Sequence, residues 1–327
     1  MKAVIVTEPG DPSKMTIGEV PAPEPGVDEV RIRVHATALN RADTFQRRGH
    51  YPPPDGESEL LGLEMAGVVE ETGDGVVDWS EGDRVFALLG GGGYAEEVVV
   101  HKDLLMAIPP GMSMTDAAAV PEVFLTAYQA LHWLGRLDGA SRVLVHAGAS
   151  GVGTAALQLV RSAGATAIAT ASAGKHDVCR RYGADEVVDY RNEDFVEAVD
   201  EWTEGRGVDL VVDFIGAPYF HKNVLSLAVD GIIVQLATLG GATVDSVSLR
   251  DLMAKRVHLK ASTLRSRSRA YKVRLTEEFA AHALPLFIDG DLEAVIDSVM
   301  DWTEVSRAHE RMENNENAGK IVLRVVD

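Results

Sequence analysis

Cysteine is nearly absent from this 327-residue chain, which has one, Cys179. A single thiol closes no intrachain disulfide and builds no multi-cysteine zinc site. Long apolar runs are missing too, since none reaches the ~18 residues that a membrane span needs. Positive charge is scarce: 31 Lys and Arg stand against 50 Asp and Glu, a formal net charge of −19. So negative a surface repels nucleic acid and anionic membranes, which excludes both as main partners. Lysine is the rarer base, nine residues against 22 arginines. With the many acids, that bias fits solubilisation in a high-salt cytoplasm, where self-repulsion is screened. The N-terminus, Met1 to Thr7, meets Glu8-Pro9-Gly10 too early for a signal peptide, so a cytoplasmic location is expected. Several catalytic signatures are also lacking. None of the seven tyrosines has a lysine four residues on, and no His-Glu-x-x-His, Cys-x-x-Cys or Gly-x-Ser-x-Gly occurs. The acid pairs Glu70-Glu71, Glu96-Glu97 and Glu277-Glu278 read as solvated faces. Asp289-Gly290-Asp291 is a turn without the rest of a calcium loop.

What is present is ordinary globular composition, 46% hydrophobic and 25% charged, at a length that suggests two domains. Residues 1–120 are rich in strand signals: Glu29 to Val34 alternates polar and apolar, and Met65 to Val69 and Ala95 to Val100 add further candidates. From 121 to 263, short apolar strands (142–147, 166–171, 186–189, 209–213, 232–236) alternate with helical stretches. Continuous apolar strands separated by helices imply a parallel sheet covered on both faces. Residues 264–327 return to a helix around 269–287 and a closing strand at 320–326. The sheet domain 121–263 is thus inserted between two parts of a discontinuous first domain, 1–120 with 264–327, and the cleft between them is the default active site. The acidity concentrates in residues 1–120, with 21 acids and nine bases, whereas 121–263 carry 17 and 13. Five bases crowd into 265–274: Arg265, Arg267, Arg269, Lys272 and Arg274. They face either an anionic group or, paired with nearby acids, only solvent.

The strongest local motif runs from His146 to Ala156, with Gly148 in its turn and Gly151-x-Gly153-x-x-Ala156 as the G-x-G-x-x-A form of the dinucleotide fingerprint. It follows a strand and opens a helix (Val152 to Ala163), the context the motif requires. Glycines let backbone approach the pyrophosphate, and the helix N-terminus stabilises its charge. The next strand ends in Thr170-Ala171-Ser172-Ala173-Gly174-Lys175, with no acid until Asp177. An NAD-preferring site places Asp or Glu there for the ribose 2′-hydroxyl. Ser172 and Lys175 instead suit a 2′-phosphate, so NADPH is the expected cofactor. His146 is read as packed rather than catalytic.

With those residues in view, the chain resembles the medium-chain dehydrogenase/reductase superfamily, within it the zinc-free NADPH:quinone oxidoreductases of the zeta-crystallin-like family. The resemblance rests on Leu39 to Asp43, Gln46 to Pro54, Gly62-Leu63-Glu64, Leu88 to Ala95, Ala119-Val120-Pro121-Glu122, His146 to Ala156, Asp189-Tyr190-Arg191, Leu264 to Arg267 and Asn317 to Leu323. It implies an α/β fold, a GroES-like β-rich catalytic domain plus a Rossmann doubly wound domain. It also implies a homodimer joined through the last Rossmann strand, around Ile232 to Thr238. Zinc alcohol dehydrogenases carry a catalytic Cys in the loop held here by Asn40 to Asp43, and Gly-His-Glu in place of Gly62-Leu63-Glu64. With neither ligand present no metal is expected, and alkoxide oxidation by a Lewis-acid zinc is disfavoured. By the same resemblance Tyr51 and Asn40 fall beside nicotinamide and substrate. Ser150, Gly151, Val152 and Gly153 fall at the pyrophosphate, and Ser172, Lys175 and Tyr190 around the 2′-phosphate. Leu239, Gly240 and Arg265 fall along the cofactor, with Lys320 near the cleft. Tyr51 would hydrogen-bond a quinone oxygen as reduction makes it negative. The implied activity is reduction of quinones or similar acceptors. The alternatives are reduction of an enone or enoyl-thioester C=C bond, or a non-catalytic role as an NADPH-binding sensor or structural protein.

Overall fold

The computed structural model describes residues 1–326. They form two compact units, Met1–Leu125 with Arg265–Asp327, and Thr126–Leu264. In chain order the first unit contains β1 (Lys2–Val6), β2 (Met15–Glu19), β3 (Glu29–Ala38), α1 (Arg41–Arg47), β4 (Glu64–Thr72), β5 (Arg84–Leu88), β6 (Glu97–His101), β7 (Leu105–Ala107) and α2 (Met114–Ala118). Helix α3 (Pro121–Tyr128) carries the chain into the second unit. There follow β8 (Arg142–Val145), α4 (Gly151–Ser162), β9 (Thr166–Ala171), α5 (His176–Arg181), β10 (Glu186–Asp189), α6 (Phe195–Trp202), β11 (Val208–Asp213), α7 (Ala217–Ser226), β12 (Leu227–Gln235), α8 (Leu249–Lys255) and β13 (His258–Ala261). The chain returns to the first unit with α9 (Arg269–Asp289), β14 (Ile296–Asp301), α10 (Val305–Glu313) and β15 (Lys320–Arg324).

The first unit is built on a seven-stranded sheet, in the order β14-β15-β3-β4-β5-β7 with β6 also on β3, beside a β1-β2 ribbon. Strand β3 shows why the alternating pattern works. Val30, Ile32 and Val34 are fully buried against Met65, Val69, Val85 and Val98. The intervening Arg31 and Arg33 face the other way and pair with Glu71 (2.8 Å) and Glu70 (3.5 Å), so that acid pair is the polar face of a strand, as expected. The decisive pairing for function is long-range. β15 lies antiparallel to β3, with Val322 opposite Ala38, and this carries Lys320 to the end of β3, beside Leu39 and Asn40.

The second unit has six parallel strands in the order β10-β9-β8-β11-β12-β13, the doubly wound arrangement in which the strand order reverses beside the first strand. Leu144, Ile168, Val188, Val211 and Ile233 fill its core with the inner faces of α6 and α7. This α/β architecture, GroES-like sheet plus Rossmann sheet, is the expected one. Three local expectations need correction. Asn40 to Asp43 do not form an open loop: they start α1, a helix too short to show a period. β12 is not the outer strand of its sheet, because β13 pairs along it from Ile232↔His258 to Gln235↔Ala261. The edge that the dimer expectation needs is therefore β13. Helix α10 was not anticipated, although its buried Val305, Ala308, His309 and Met312 have helical spacing. Among the described residues, no helix is long and apolar enough to cross a membrane.

Candidate functional site

In the first unit the site grows from Glu64, the first residue of β4 and fully buried. A buried carboxylate must be paired and hydrogen-bonded, and Glu64 is both. Its Oε1 lies 2.7 Å from Lys320 Nζ and accepts from Asn40 Nδ2 at 2.8 Å. Its Oε2 accepts from the Glu122 backbone N–H at 2.9 Å. Lys320, 3% exposed, also donates to Leu39 O at 2.6 Å and Asn40 Oδ1 at 2.7 Å. An ammonium has three donors, and all three are engaged. Lys320 therefore has none for a cofactor. Expected near the cleft as a cofactor-binding residue, Lys320 instead neutralises Glu64 and fixes Asn40. The Asn40 amide is likewise held on both sides, and the residue is only 8% exposed. Asn40 thus positions this cluster rather than presenting a free group to substrate.

Below Asn40 lies a second buried chain. Asp43 accepts from Asn40 N at 2.8 Å, Gly62 N at 3.2 Å and Tyr94 Oη at 3.3 Å. Burial pushes its carboxyl up to about 6, partly offset by the Asn40 and Gly62 amides. Gly62 is required there. Its φ is +102°, and a Cβ would lie 2.6 Å from Gly93 Cα and Tyr94 N. Arg47, fully buried, donates to Gly10 O (3.0 Å), Glu313 Oε1 (2.5 Å) and His309 Nδ1 (2.9 Å). Since a guanidinium only donates, His309 carries its proton on Nε2 and passes a donor to Tyr94 Oη at 3.3 Å. Burial first, then Arg47, lowers the His309 imidazole to about 3, so it stays neutral.

Tyr51 and Arg265 form the other wall. The Arg265 guanidinium lies 5.2 Å from the Tyr51 ring centroid, its Nε donates to Gly90 O at 2.8 Å and its Nη1 to Tyr51 O at 3.4 Å. Arg265 is 6% exposed, yet its Nη2 is buried without a partner. An unpaired buried donor is costly and calls for an explanation. The five bases of 265–274 are not one patch: Arg265 and Lys272 are buried, Lys272 3.3 Å from Glu57, while Arg267 stacks on Tyr271 at 4.7 Å. Glu122 stands at the head of α3, its N–H on Glu64 Oε2. Burial first, then the charge of Glu64, raises its carboxyl to about 8. Composition and spacing gave no sign of this group or of the Glu64–Lys320 pair.

In the second unit the fingerprint lies where expected, at the turn from β8 into α4. Ser150 caps α4, its Oγ accepting from Gly153 N at 3.0 Å, which leaves the first-turn amides of Gly151 and Val152 pointing out of the helix. A Cβ on Gly153 would lie 2.3 Å from Ala147 O, and one on Gly148 2.8 Å from Ala169 Cβ and 3.2 Å from Cys179 Sγ. Both glycines are set by close packing. Cys179 is buried, and that burial pushes its thiol up to about 12, so it is inert packing. His146 is packed as expected: it is fully buried and bonded to Thr170 Oγ1 (3.0 Å) and Asn223 Oδ1 (2.7 Å). β10 runs beside β9 with Asp189 opposite Ala171, so Ser172 and Tyr190 leave the sheet side by side, with Lys175 one short turn on. Leu239, 45% exposed, and Gly240 lie at the ends of β11 and β12, their amides donating to Phe214 O (3.0 Å) and Ile215 O (2.8 Å). A glycine turn, a capped helix N-terminus and a cationic end without an acid fit a dinucleotide bearing an extra phosphate.

Residues 26–110 match the family model for the alcohol dehydrogenase GroES-like domain and residues 182–323 that for the zinc-binding dehydrogenases. A rat (Rattus norvegicus) synaptic vesicle membrane protein VAT-1 homolog is 34% identical, over 99% of this chain and 84% of its own length. The chain is a medium-chain dehydrogenase/reductase of the quinone-oxidoreductase-like family. Among solved structures, an Escherichia coli quinone oxidoreductase complexed with NADPH matches with a TM-score of 0.87 and 28% identity, covering 99% of this chain and 100% of that one. The CurK enoyl reductase matches with a TM-score of 0.87 and 28% identity, covering 99% and 98%. As a member of this family the protein is an oxidoreductase. The zinc in one family model's description does not fit here. Among the described residues no group of three or more His, Cys, Asp or Glu is placed to hold a metal, and the Glu64 carboxylate already has the Lys320 ammonium against it.

Proposed function

We propose that this protein is a zinc-independent, NADPH-dependent reductase of quinones or similarly electron-poor acceptors. The observation that carries this reading is the Arg265–Tyr51 wall, a buried guanidinium whose Nη2 has no partner beside a half-buried phenol. Fixed donors aimed at an oxygen that gains negative charge during reaction stabilise the transition state most where water is excluded. A quinone or enone oxygen is such an acceptor. When bound, the dinucleotide supplies the hydride. Tyr51 and Arg265 orient and polarise the acceptor oxygen, and the Lys320–Glu64–Asn40 cluster holds the start of α1 in place. Ser172, Lys175 and Tyr190 suit the 2′-phosphate, in line with the NADPH complex of the E. coli relative.

Lys175→Glu should therefore raise Kd for NADPH by at least roughly tenfold, about 1.4 kcal/mol, and leave NADH nearly unchanged. Fluorescence titration with each would check it, and equal losses would refute the 2′-phosphate assignment. A second reading, reduction of an enone or enoyl-thioester C=C bond, is supported by the likeness to an enoyl reductase. Steady-state NADPH oxidation with 1,2-naphthoquinone, an enone and an enoyl-CoA separates the two: the quinone is expected to give the highest kcat/KM. Tight NADPH binding with no turnover of any of the three would leave the sensor reading instead. Self-association is proposed on the β13 edge, where Leu259 is 55% exposed, as are Leu249 and Met253 of the preceding α8 (69% and 76%).

A further inference from the structure

We infer that Lys272 and Glu57 are positioning residues for the acceptor site, an ion pair that clips the far end of the segment carrying Tyr51. The inference rests on the reductase reading above, in which Tyr51 and Arg265 hold the acceptor, and it names what fixes that wall in place.

The segment cannot hold itself. Tyr51 is followed by Pro52, Pro53 and Pro54, which have no backbone N–H to donate and have φ fixed by their rings. Such a run is stiff and forms no internal hydrogen bonds, so the place of Tyr51 follows from the two ends of the run. At the near end the amides of Gly49 and His50 donate to Gln46 O and Phe45 O of α1, both at 2.8 Å. At the far end the chain turns, with Glu57 N donating to Pro54 O at 3.1 Å. It then lies along the glycine run 90–93: Gly92 N donates to Leu60 O and Tyr94 N to Leu61 O, each at 2.9 Å. Gln46 Nε2 of α1 adds a bond to Glu59 O at 2.9 Å.

Glu57 is where that far end meets the Arg265–Tyr51 wall. Its carboxyl lies against Gly90, where a Cβ would run into all three carboxyl atoms, the farthest at 2.6 Å. Gly90 O in turn accepts from Arg265 Nε at 2.8 Å, and Arg265 Nη1 donates to Tyr51 O at 3.4 Å. Lys272 of α9, 5% exposed, brings its Nζ to 3.3 Å from Glu57 Oε1. A buried ammonium needs a paired carboxylate. Glu57 supplies it, and the pairing keeps the Glu57 carboxyl on Gly90. The path Lys272–Glu57–Gly90–Arg265–Tyr51 thus joins α9 to the wall through successive contacts. It also gives the two buried bases of 265–274 related tasks: Arg265 ties Tyr51 itself, and Lys272 ties the far end of the proline run.

The test uses two variants that break the clip in different ways. Lys272→Met removes the ammonium, and the Glu57 side chain, 37% exposed, is hydrated in its place. Gly90→Ala keeps both charges but pushes the Glu57 carboxyl aside, since the atoms its Cβ meets first are the mobile end of a side chain and not backbone. Each is expected to raise KM for the best quinone about tenfold with kcat within about threefold of wild type, the mark of lost binding shared by ground and transition states. The Kd for NADPH should stay within about twofold. The double variant should be no worse than either single, because both act through one contact. By hydrogen exchange on the free protein, the Glu57 amide should exchange faster in both single variants. An unchanged quinone KM in Gly90→Ala and Lys272→Met, or additive losses in the double variant, would overturn the clip while wild-type turnover left the reductase reading standing. A wild type that reduces no acceptor would overturn that reading and this inference with it.

Discussion

Lys320→Met is expected to destabilise the protein by about 3–5 kcal/mol, the usual effect of removing one partner from a buried ion pair. Both members are enclosed, Lys320 at 3% exposure and Glu64 at 0%, so no water replaces the lost ammonium. The substitution removes one salt bridge and two hydrogen bonds at once, leaving Leu39 O and Asn40 Oδ1 without their donor. Methionine keeps the volume of the stem, which makes the lost charge the main effect. The melting temperature should drop by roughly 10 °C, and activity should fall because Asn40 and the start of α1 lose their anchor. The double variant Glu64→Gln with Lys320→Met should recover most of that loss, since replacing both partners of a buried pair is close to neutral. A single variant that melts within 2 °C of wild type would show that the pair is not buried as described.

Gly153→Val is expected to weaken dinucleotide binding at least roughly 100-fold, about 2.7 kcal/mol, with a smaller loss of stability. The reason is backbone proximity. A Cβ at this position would lie 2.3 Å from Ala147 O and 2.7 Å from Gly148 C, atoms that belong to the turn itself and have no rotamer to change. Relief requires the turn to open, which breaks the Ser150 cap on Gly153 N and turns the first amides of α4 away from the pyrophosphate. The stability loss should be roughly 1–3 kcal/mol, the range for overpacking a tight site. Calorimetric titration with NADPH measures the first effect and thermal melting the second. NADPH binding within threefold of wild type would mean that this turn is a structural βα connection and no phosphate site.

The amino-acid sequence by itself determined the features whose signals are local. The alternating face of β3, the apolar strands β8 to β11 and the glycine turn are each set by side-chain period or by backbone freedom within about ten residues. For the same reason the α/β class and the order of the two units were legible, and the missing acid after β9 pointed to NADPH. The helix α10 was missed, although Val305, Ala308 and Met312 have helical spacing. The tertiary structure alone decided the polar chemistry of the first unit. Lys320 reaches Asn40 across 280 positions, Arg47 reaches His309 across 262, Arg265 reaches Gly90 across 175 and Glu122 reaches Glu64 across 58. No period encodes such contacts, because they follow from sheet pairing and from the exclusion of water. That exclusion makes Lys320 the counter-ion of Glu64 and raises the carboxyl of Glu122, one acid among 50, to about 8.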